Sequence, residues 1–326
     1  VVGVIGGVTS VVCTRGRPDS LAVAVASLLR CDPRAEHVLV LDQSDDDRAL
    51  ALIRALPDGD QVDYRLLSTR GLSTARNEAI RVAHGDIVVF TDDDCEASTD
   101  LIAQHVGAVE RHPNAAIVFG TVTLPRPLES DEWAARFDAA DSEFVGRIPT
   151  PADAWGIGAN MALVRSRLDG ARFDPLLGAG AILRSGEEVD LVVRVVAGGR
   201  SMVTAAAPKV IHHGIRSGGN ARSITYSYAL GVGAATCKHA RLRLRPGAGL
   251  VVSWPLDATR SLARRVVQRA RGGSEPLGVW PLVGLVRGVL AGATRPLDRS
   301  TGCFSADARP SLRASLHGAR ELVLGR

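Results

Sequence analysis

The apolar positions of the first hundred residues fall into short β-branched runs, and each run stops at a polar residue. Residues 9–14 read as a first strand, closed by the turn Arg15-Gly16-Arg17-Pro18, and Asp19 or Ser20 supplies a cap for a helix over roughly 20–30. Residues 38–41 form a second buried strand ending at Asp42. A helix over 47–56, a strand over 64–67 and a helix over 74–83 follow. Gly85-Asp86 then turns the chain into Ile87-Val88-Val89-Phe90-Thr91, a strand that ends in Asp92-Asp93-Asp94. Four strand–helix alternations within about ninety residues predict an α/β fold with a mainly parallel sheet and right-handed crossovers. Thr14, Asp42 and Asp92 each stand at the carboxyl end of a strand, so the chemistry gathers along one edge.

Beyond residue 100 the pattern predicts a helix over 100–111 and a strand over 116–122. Residues 125–151 are less regular, with Trp133, Phe137 and Phe144 expected to pack a helix on the sheet. Gly158-Ala159-Asn160 leads into an apolar strand, and 173–180 is a glycine-rich loop. Residues 187–197 read as a helix, and 203–211 as a strand running into His212-His213. From about 236 the chain becomes a series of Arg-rich helices broken by Pro246-Gly247, Gly272-Gly273 and Pro296. The expected organisation is a catalytic domain over 1–235 and a basic helical extension over 236–326.

Charge sharpens that division. From residue 239 on there are 15 arginines, no lysine and 5 acidic residues, a net +10; the overall +4 therefore leaves −6 on the first 238 residues. A basic tail on an acidic body points to an anionic partner. The tail is rich in Leu, Val and Trp and carries no nucleic-acid motif, which favours an anionic membrane surface and speaks against nucleic acid. Five scattered cysteines with no CxxC pair argue against a disulfide framework or a zinc site and for a reducing compartment. Residues 1–8 lack a basic leader and a cleavage site. Residues 277–294 are apolar but interrupted by Pro281, Arg287 and four glycines, which reads as a membrane-contacting or buried helix rather than a crossing. The expected location is cytoplasmic, with peripheral attachment at the inner face of the cell membrane.

Three carboxylates at a strand end repel one another unless a cation sits among them, and oxygen-rich sites of this kind suit Mg²⁺ or Mn²⁺ shared with substrate phosphates. The bland alternative is a solvated acidic turn. The order of short segments decides between them: VVCTRGRP (11–18), VLVLDQS (38–44), GLSTARN (71–77), GDIVVFTDDDC (85–95), GANMALVR (158–165), FDPLLGAG (173–180), GEEVDLVVR (186–194) and PKVIHH (208–213). With these eight in sequence over roughly its first 215 residues, the chain resembles the inverting nucleotide-sugar glycosyltransferases of family 2, which have the GT-A fold.

The resemblance implies a division of labour. Asp94 would bind the divalent ion directly, and Asp92 the ribose or a water on the ion. Asp42 would accept from the nucleobase or ribose, with a helix cap as its alternative. Thr14 and Arg17 would line the nucleotide slot, and Arg76 would be either a diphosphate contact or a solvated surface arginine. The base that deprotonates the acceptor hydroxyl would come from Glu187-Glu188. The family usually has Glu-Asp here with the Asp as base, so Glu188 stands at that position and Glu187 is the alternative. The plain reading of both is an acidic first turn at a helix N-terminus. Asp190 is expected to be architectural. One of His212 and His213 would add a metal ligand; side chains alternate along a strand, and His212 is the choice. Gly158 and Asn160 would contact donor sugar and acceptor, and Trp155 would stack on a sugar unless it is a core or rim tryptophan.

The implied reaction is a single in-line displacement that moves a sugar from a nucleoside-diphosphate sugar, UDP by default, to a hydroxyl of a glycan, lipid-linked or small-molecule acceptor. Within the tail, residues 257–271 set Leu262, Val266 and Val267 on one side of a helix and Arg260, Arg264, Arg265, Arg269 and Arg271 around the rest, the pattern of an interfacial basic helix or of a docked helix with a solvated arginine face. In the family it resembles, relatives with such tails often act on lipid-linked or membrane-proximal acceptors. Two other readings compete: a sugar-nucleotide mutase or isomerase, and a non-catalytic nucleotide-sugar-binding module. A nucleotidyltransferase is disfavoured because Arg15-Gly16-Arg17-Pro18 lacks the glycine-rich, lysine-bearing phosphate loop.

Overall fold

The computed structural model describes residues 4–129, 132–147, 156–217, 221–244 and 280–305. Residue 155 and the basic segment 257–271 lie outside the described residues. The strand–helix alternation appears as expected: β1 (Val4–Thr14), α1 (Pro18–Leu29), β2 (Arg34–Asp42), α2 (Arg48–Arg54), β3 (Val62–Leu66), α3 (Leu72–Val82) and β4 (Ile87–Asp92). β4 turns at once into the short β5 (Cys95–Ala97), followed by α4 (Leu101–Arg111) and β6 (Ala115–Thr123). Then come β7 (Glu132–Trp133), β8 (Ser142–Val145), β9 (Asn160–Val164), α5 (Glu187–Ala197), β10 (Ser201–His212) and β11 (Arg216–Ser217). The last elements are α6 (Ala221–Arg241), α7 (Trp280–Thr294), β12 (Leu297–Asp298) and β13 (Cys303–Phe304).

The central sheet runs β3-β2-β1-β4-β9-β6-β10-β5, with β8 also paired to β10. The pairs β3–β2, β2–β1, β1–β4 and β6–β10 are parallel. β9 is inserted antiparallel between β4 and β6, and β8 and β5 flank β10 antiparallel. The parallel strands are apolar on both faces because helices cover both: Val11, Val12, Leu39, Val40, Val88 and Val89 are all buried in one core. α1 starts without a side-chain cap; Pro18 opens it, in the position where a missing N–H costs nothing.

One expectation is corrected here. Residues 125–151 do not pack a helix on the sheet: among the described residues they form β7 and β8, with Phe144 in β8 and Phe137 bridged to Val122 of β6. Side chains of a strand paired to β10 bury Phe144 without any helix. Residues 277–294, read as a membrane-contacting or buried helix rather than a crossing, contain α7 (Trp280–Thr294). α7 lies along α6, and a Cβ at Gly284, Gly288 or Gly292 would run into the α6 backbone at Tyr226, Leu230 or Ala234. Its glycines are thus explained by close helix packing. No described helix is long and apolar enough to cross a membrane. α6 runs unbroken through residues 235 and 236, where the sequence places a boundary.

A buried charge cluster ties α6 to α5. Lys238 of α6 is fully buried and pairs with Asp174 at 2.5 Å and Asp190 of α5 at 2.8 Å. Asp190 also accepts from Arg194 at 2.8 Å and from His239 at 2.9 Å. Although burial opposes ionisation, Arg194, Lys238 and His239 together hold the Asp190 carboxyl far below the usual range. Asp190 is architectural, as expected. Gly186, at φ 85°, caps α5 and presses against the α6 backbone at Gly231, a place where a side chain has neither the dihedral nor the room.

Candidate active site

The register of the sheet decides which polar residues meet. β1 sets Thr14 opposite Asp42 of β2 and Cys13 opposite Asp92 of β4. β5 runs antiparallel to the end of β10 with Cys95 opposite His212, and the His213 N–H donates to the Asp94 carbonyl at 2.8 Å. This ladder carries His212 back beside the acidic turn, where its Nε2 lies 3.3 Å from Asp94 Oδ1. Alternation works as expected: His212 is buried, and His213 points outward to Glu96 at 3.4 Å.

The middle aspartate, which sequence reasoning did not single out, anchors the turn. Thr14 Oγ1 donates to Asp93 Oδ2 at 2.7 Å, and Arg17 Nη1 donates to Asp93 Oδ1 at 2.9 Å and to Asp94 Oδ2 at 3.0 Å. Asp93 is thereby spent on structure, and Asp92 and Asp94 are left facing the cleft. A pocket of about 330 Å³ is lined by Thr14, Arg15, Arg17, Gln43, Asp92, Asp94, His212 and Arg216 among others. A second, of about 380 Å³, is lined by Arg76, Asp92, Gly158, Glu187, Glu188, His212, Arg216 and Tyr228 among others. The two share Leu72, Asp92, Ala179, His212 and Arg216.

Three residues sit differently from the sequence expectation. Asp42 is fully buried and does not cap a helix; it accepts from the Tyr64 hydroxyl at 2.6 Å and from Ser44 N–H at 2.7 Å, and Gln43 forms the pocket wall in its place. Arg76 is neither a surface arginine nor a lining residue of the first pocket. It is buried and donates to Glu188 Oε1 at 3.0 Å and Glu187 Oε1 at 3.3 Å, with Asp92 at 3.7 Å and the Phe173 ring beneath it. Asn160 is not brought to the site. Its Nδ2 donates to the Thr121 and Pro208 carbonyls, and its Oδ1 faces His105 Nε2 at 2.6 Å. Fully buried at the start of β9, its side chain is spent on those three partners. Gly158 does reach the cleft, where a Cβ would collide with the Arg76 guanidinium and Glu188 Oε1. Sequence reasoning also missed Tyr228, Arg184 and Arg216, which line the cleft. They fall on α6, a loop and a two-residue strand, with no motif to mark them.

The electrostatics separate the two glutamates. Glu187 is 5% exposed, under the loop at Gly178, while the Glu188 side chain keeps 21% exposure to the cleft. Burial, reinforced by the neighbouring Glu188 charge, pushes the Glu187 carboxyl up to about 8 against the pull of Arg76. The folded chain therefore holds a proton that the unfolded chain loses above about 4.5, and this group's contribution to stability falls as pH rises from about 4.5 to about 8. Glu187→Gln removes that dependence. Its melting temperature is expected to vary less with pH across this window and to exceed the wild type's at pH 8. Identical pH profiles for the two proteins would mean that Glu187 is ionised throughout.

The residues around Asp94 fit a divalent cation. Burial keeps the His212 imidazole below its ordinary value despite Asp94, so it is neutral with a lone pair available, and its Nδ1 has no hydrogen-bond partner among the described residues. Burial also raises Asp92, joined by the charges of Asp94 and Asp93 and opposed by Arg76, while its side chain keeps 37% exposure. That crowding is what a cation relieves. Asp94, Cys95 and His212 have ligand atoms close enough for one ion. Burial and the flanking carboxylates raise the Cys95 thiol, and Asp94 and His212 beside it supply the oxygen and nitrogen donors that suit Mn²⁺ or Mg²⁺.

Comparison with known proteins agrees with this architecture. Residues 9–168 match the model of glycosyl transferase family 2. The uncharacterized glycosyltransferase YfnE of Bacillus subtilis (strain 168) is 36% identical over 92 residues, which cover 27% of this chain and 22% of that protein. The mannosyltransferase PcManGT from Pyrobaculum calidifontis, solved in complex with GDP-Man and Mn²⁺, shares the fold at a TM-score of 0.54 and 16% identity, over 98% of this chain and 88% of that one. S. aureus TarS has a TM-score of 0.49 at 14% identity, over 69% of this chain and 39% of TarS. The chain thus spans about a fifth of YfnE and two fifths of TarS. Fold and family match together define an enzyme class, the glycosyltransferases of the GT-A fold. Within it the match is to family 2, through residues 9–168, just under half of the chain.

Proposed function

We propose that the protein transfers a sugar from a nucleoside-diphosphate sugar to an acceptor hydroxyl, with inversion at the anomeric carbon. The observation that carries this reading is the meeting of two pockets at Asp92 and His212, with the acidic turn on one side and Glu187-Glu188 on the other. The first pocket takes the nucleoside diphosphate, between Thr14, Arg15, Arg17 and Gln43. The second takes the acceptor. Asp94 and His212, with Asp92 beside them, would hold Mn²⁺ or Mg²⁺, which supplies positive charge for the leaving diphosphate.

Glu188 accepts the proton of the attacking hydroxyl, because it faces the cleft and Arg76 fixes its orientation. Glu187, held neutral by burial, keeps Glu188 from sharing Arg76 with a second full charge. Arg216 is exposed where the pockets join and has no carboxylate partner among the described residues, so it is placed to meet the departing diphosphate. On the acceptor side, the basic C-terminal region suits an anionic membrane surface at which a glycan or lipid-linked acceptor is presented.

The donor side is tested by thermal shift with UDP, GDP and TDP, with and without Mn²⁺. UDP is first by family resemblance, and GDP is included because PcManGT was solved with GDP-Man. One nucleotide is expected to stabilise the protein only with the ion, by about 2.7 kcal/mol at roughly 100-fold excess over Kd. Asp94→Ala is expected to abolish the ion-dependent part. No stabilisation by any nucleoside diphosphate, or an unchanged Asp94→Ala response, overturns the reading.

A further inference from the structure

Next to the proposed acceptor cleft lies another pocket, of about 420 Å³, that the transfer step does not use. It is lined by Arg184, Ser223, Tyr226, Trp280 and Arg287, and it shares Arg184 and Ser223 with the cleft that holds Glu188. The Arg184 guanidinium sits over the Tyr226 ring, 5.8 Å from its centroid, and Arg287 donates to the Tyr226 hydroxyl at 3.2 Å. Neither arginine has a carboxylate partner among the described residues. One guanidinium over the Tyr226 ring and one at its hydroxyl line the same pocket, with no carboxylate paired to either among the described residues, and together they offer donors to phosphate oxygens.

α7 leads out of this pocket. Trp280 stands at its first turn, packed edge-on to Tyr226. Its packed side is built from Gly284, Gly288 and Gly292 against α6. The opposite side carries Leu282, Val286, Val289 and Leu290, between 39% and 59% exposed. At spacings of four, seven and eight they make one apolar stripe with no charge in it. Exposed leucine and valine in a contiguous row are costly in water unless something apolar covers them. A cationic pocket at one end of an apolar stripe has the polarity of an amphiphile, with an anionic head and a hydrocarbon tail. Residues 245–279, which precede α7, add six arginines against two acidic residues and bias the region further toward anions.

We propose that the acceptor is carried on a phosphorylated lipid. Its phosphate lies between Arg184 and Arg287, and its hydrocarbon chain runs along Leu282, Val286, Val289 and Leu290. Its acceptor hydroxyl reaches Glu188 through the wall the two pockets share. This rests on the transferase reading above. In the transfer, the hydroxyl oxygen bonds to the anomeric carbon and its proton passes to Glu188. The anomeric bond to the diphosphate breaks with its electron pair, and the lipid phosphate keeps all its bonds.

The test uses the full chain and three probes: farnesyl phosphate, farnesol and inorganic phosphate, titrated by tryptophan fluorescence. Farnesyl phosphate is expected to bind at least ~10-fold more tightly than either fragment, since it alone fills both ends. The double variant Arg184→Gln/Arg287→Gln should weaken it by about 10-fold or more, and so should Val286→Gln/Leu290→Gln. All four positions are on the surface or at its edge, so melting temperatures should hold, and Mn²⁺-dependent nucleotide stabilisation should not change in either variant. Equal binding to wild type and both variants overturns the proposal. So does inorganic phosphate matching farnesyl phosphate, which would mark a plain anion site, or farnesol matching it, which would mark an unspecific apolar patch. Absence of binding, as when residues of this chain cover the stripe, also overturns it. Failure of the nucleotide to stabilise wild type is a separate result that sinks the transferase reading instead.

Discussion

Glu188→Gln is expected to bind the donor nucleotide as tightly as the wild type and to turn it over about 10²–10⁴-fold more slowly. The amide keeps the shape and the contact to Arg76 but cannot take a proton. kcat should therefore fall while the Mn²⁺-dependent thermal shift stays, a split that a folding defect would not give. Glu188→Asp is the informative companion. The family usually has Asp at this position, so the shorter acid should retain measurable turnover at reduced kcat. The observed geometry explains why the longer residue is accommodated: Gly158 leaves the space that Glu188 Oε1 occupies. Near-normal turnover in Glu188→Gln, with loss in Glu187→Gln, would move the base to Glu187.

Lys238→Met is expected to cost the fold about 3–5 kcal/mol, because it leaves Asp174 and Asp190 buried with their cation removed. Asp190 retains Arg194 and His239, while among the described residues Asp174 retains only backbone N–H donors, from Leu176 and Phe304, so the larger part of the loss falls on Asp174. Pairing the change with Asp174→Asn should recover part of the loss, a coupling that a double-mutant cycle in chemical denaturation would measure. A single-variant loss below about 1 kcal/mol would show that the cluster contributes little to stability. The consequence reaches the cleft as well. The same helix that carries Lys238 carries Tyr228, and its partner helix α5 carries Glu187 and Glu188 at its first turn.

Deleting residues 257–326 would not isolate the contribution of the basic C-terminal region, for a physical reason. That segment includes α7, whose glycines let it lie directly on α6, so deletion would strip a packed face as well as any membrane contact. Point substitutions on the outward face of α7 separate the two effects.

Much of the site was legible along the chain because its first part is local. A β-branched run followed by a carboxylate fixes both a strand and the edge on which the carboxylate emerges, and this holds for Asp92 and Asp94. The choice of His212 over His213 needed only the two-residue alternation of a strand. Arg76 was harder. Its position one turn into α3 was readable, but its partners Glu187 and Glu188 lie more than a hundred residues away, and only the tertiary fold brings the Arg76 side chain to the first turn of α5. Asn160 was misjudged because a motif position does not say which way a strand residue points. The sheet turned it inward to bind two carbonyls and His105. α6 escaped notice because it is covered on two sides, by α5 and α7, and shows no amphipathic stripe that periodicity would detect.

By itself, then, the order of residues determined the alternating α/β architecture, the acidic strand end, the pair of glutamates at a helix start and the basic character of the C-terminal part. These depend on short-range periodicity and on the chemistry of neighbouring residues. Tertiary structure alone decided that Asp93 would be spent on Thr14 and Arg17, that Asp42 would be sealed from the pocket, and that Lys238 would bind α6 to the helix of the glutamates. It also decided that Arg184 and Arg287 would meet at Tyr226, one over its ring and one at its hydroxyl. Such pairings are set by strand register and helix packing across large sequence separations, where desolvation makes each buried polar group take whatever partner the fold brings near.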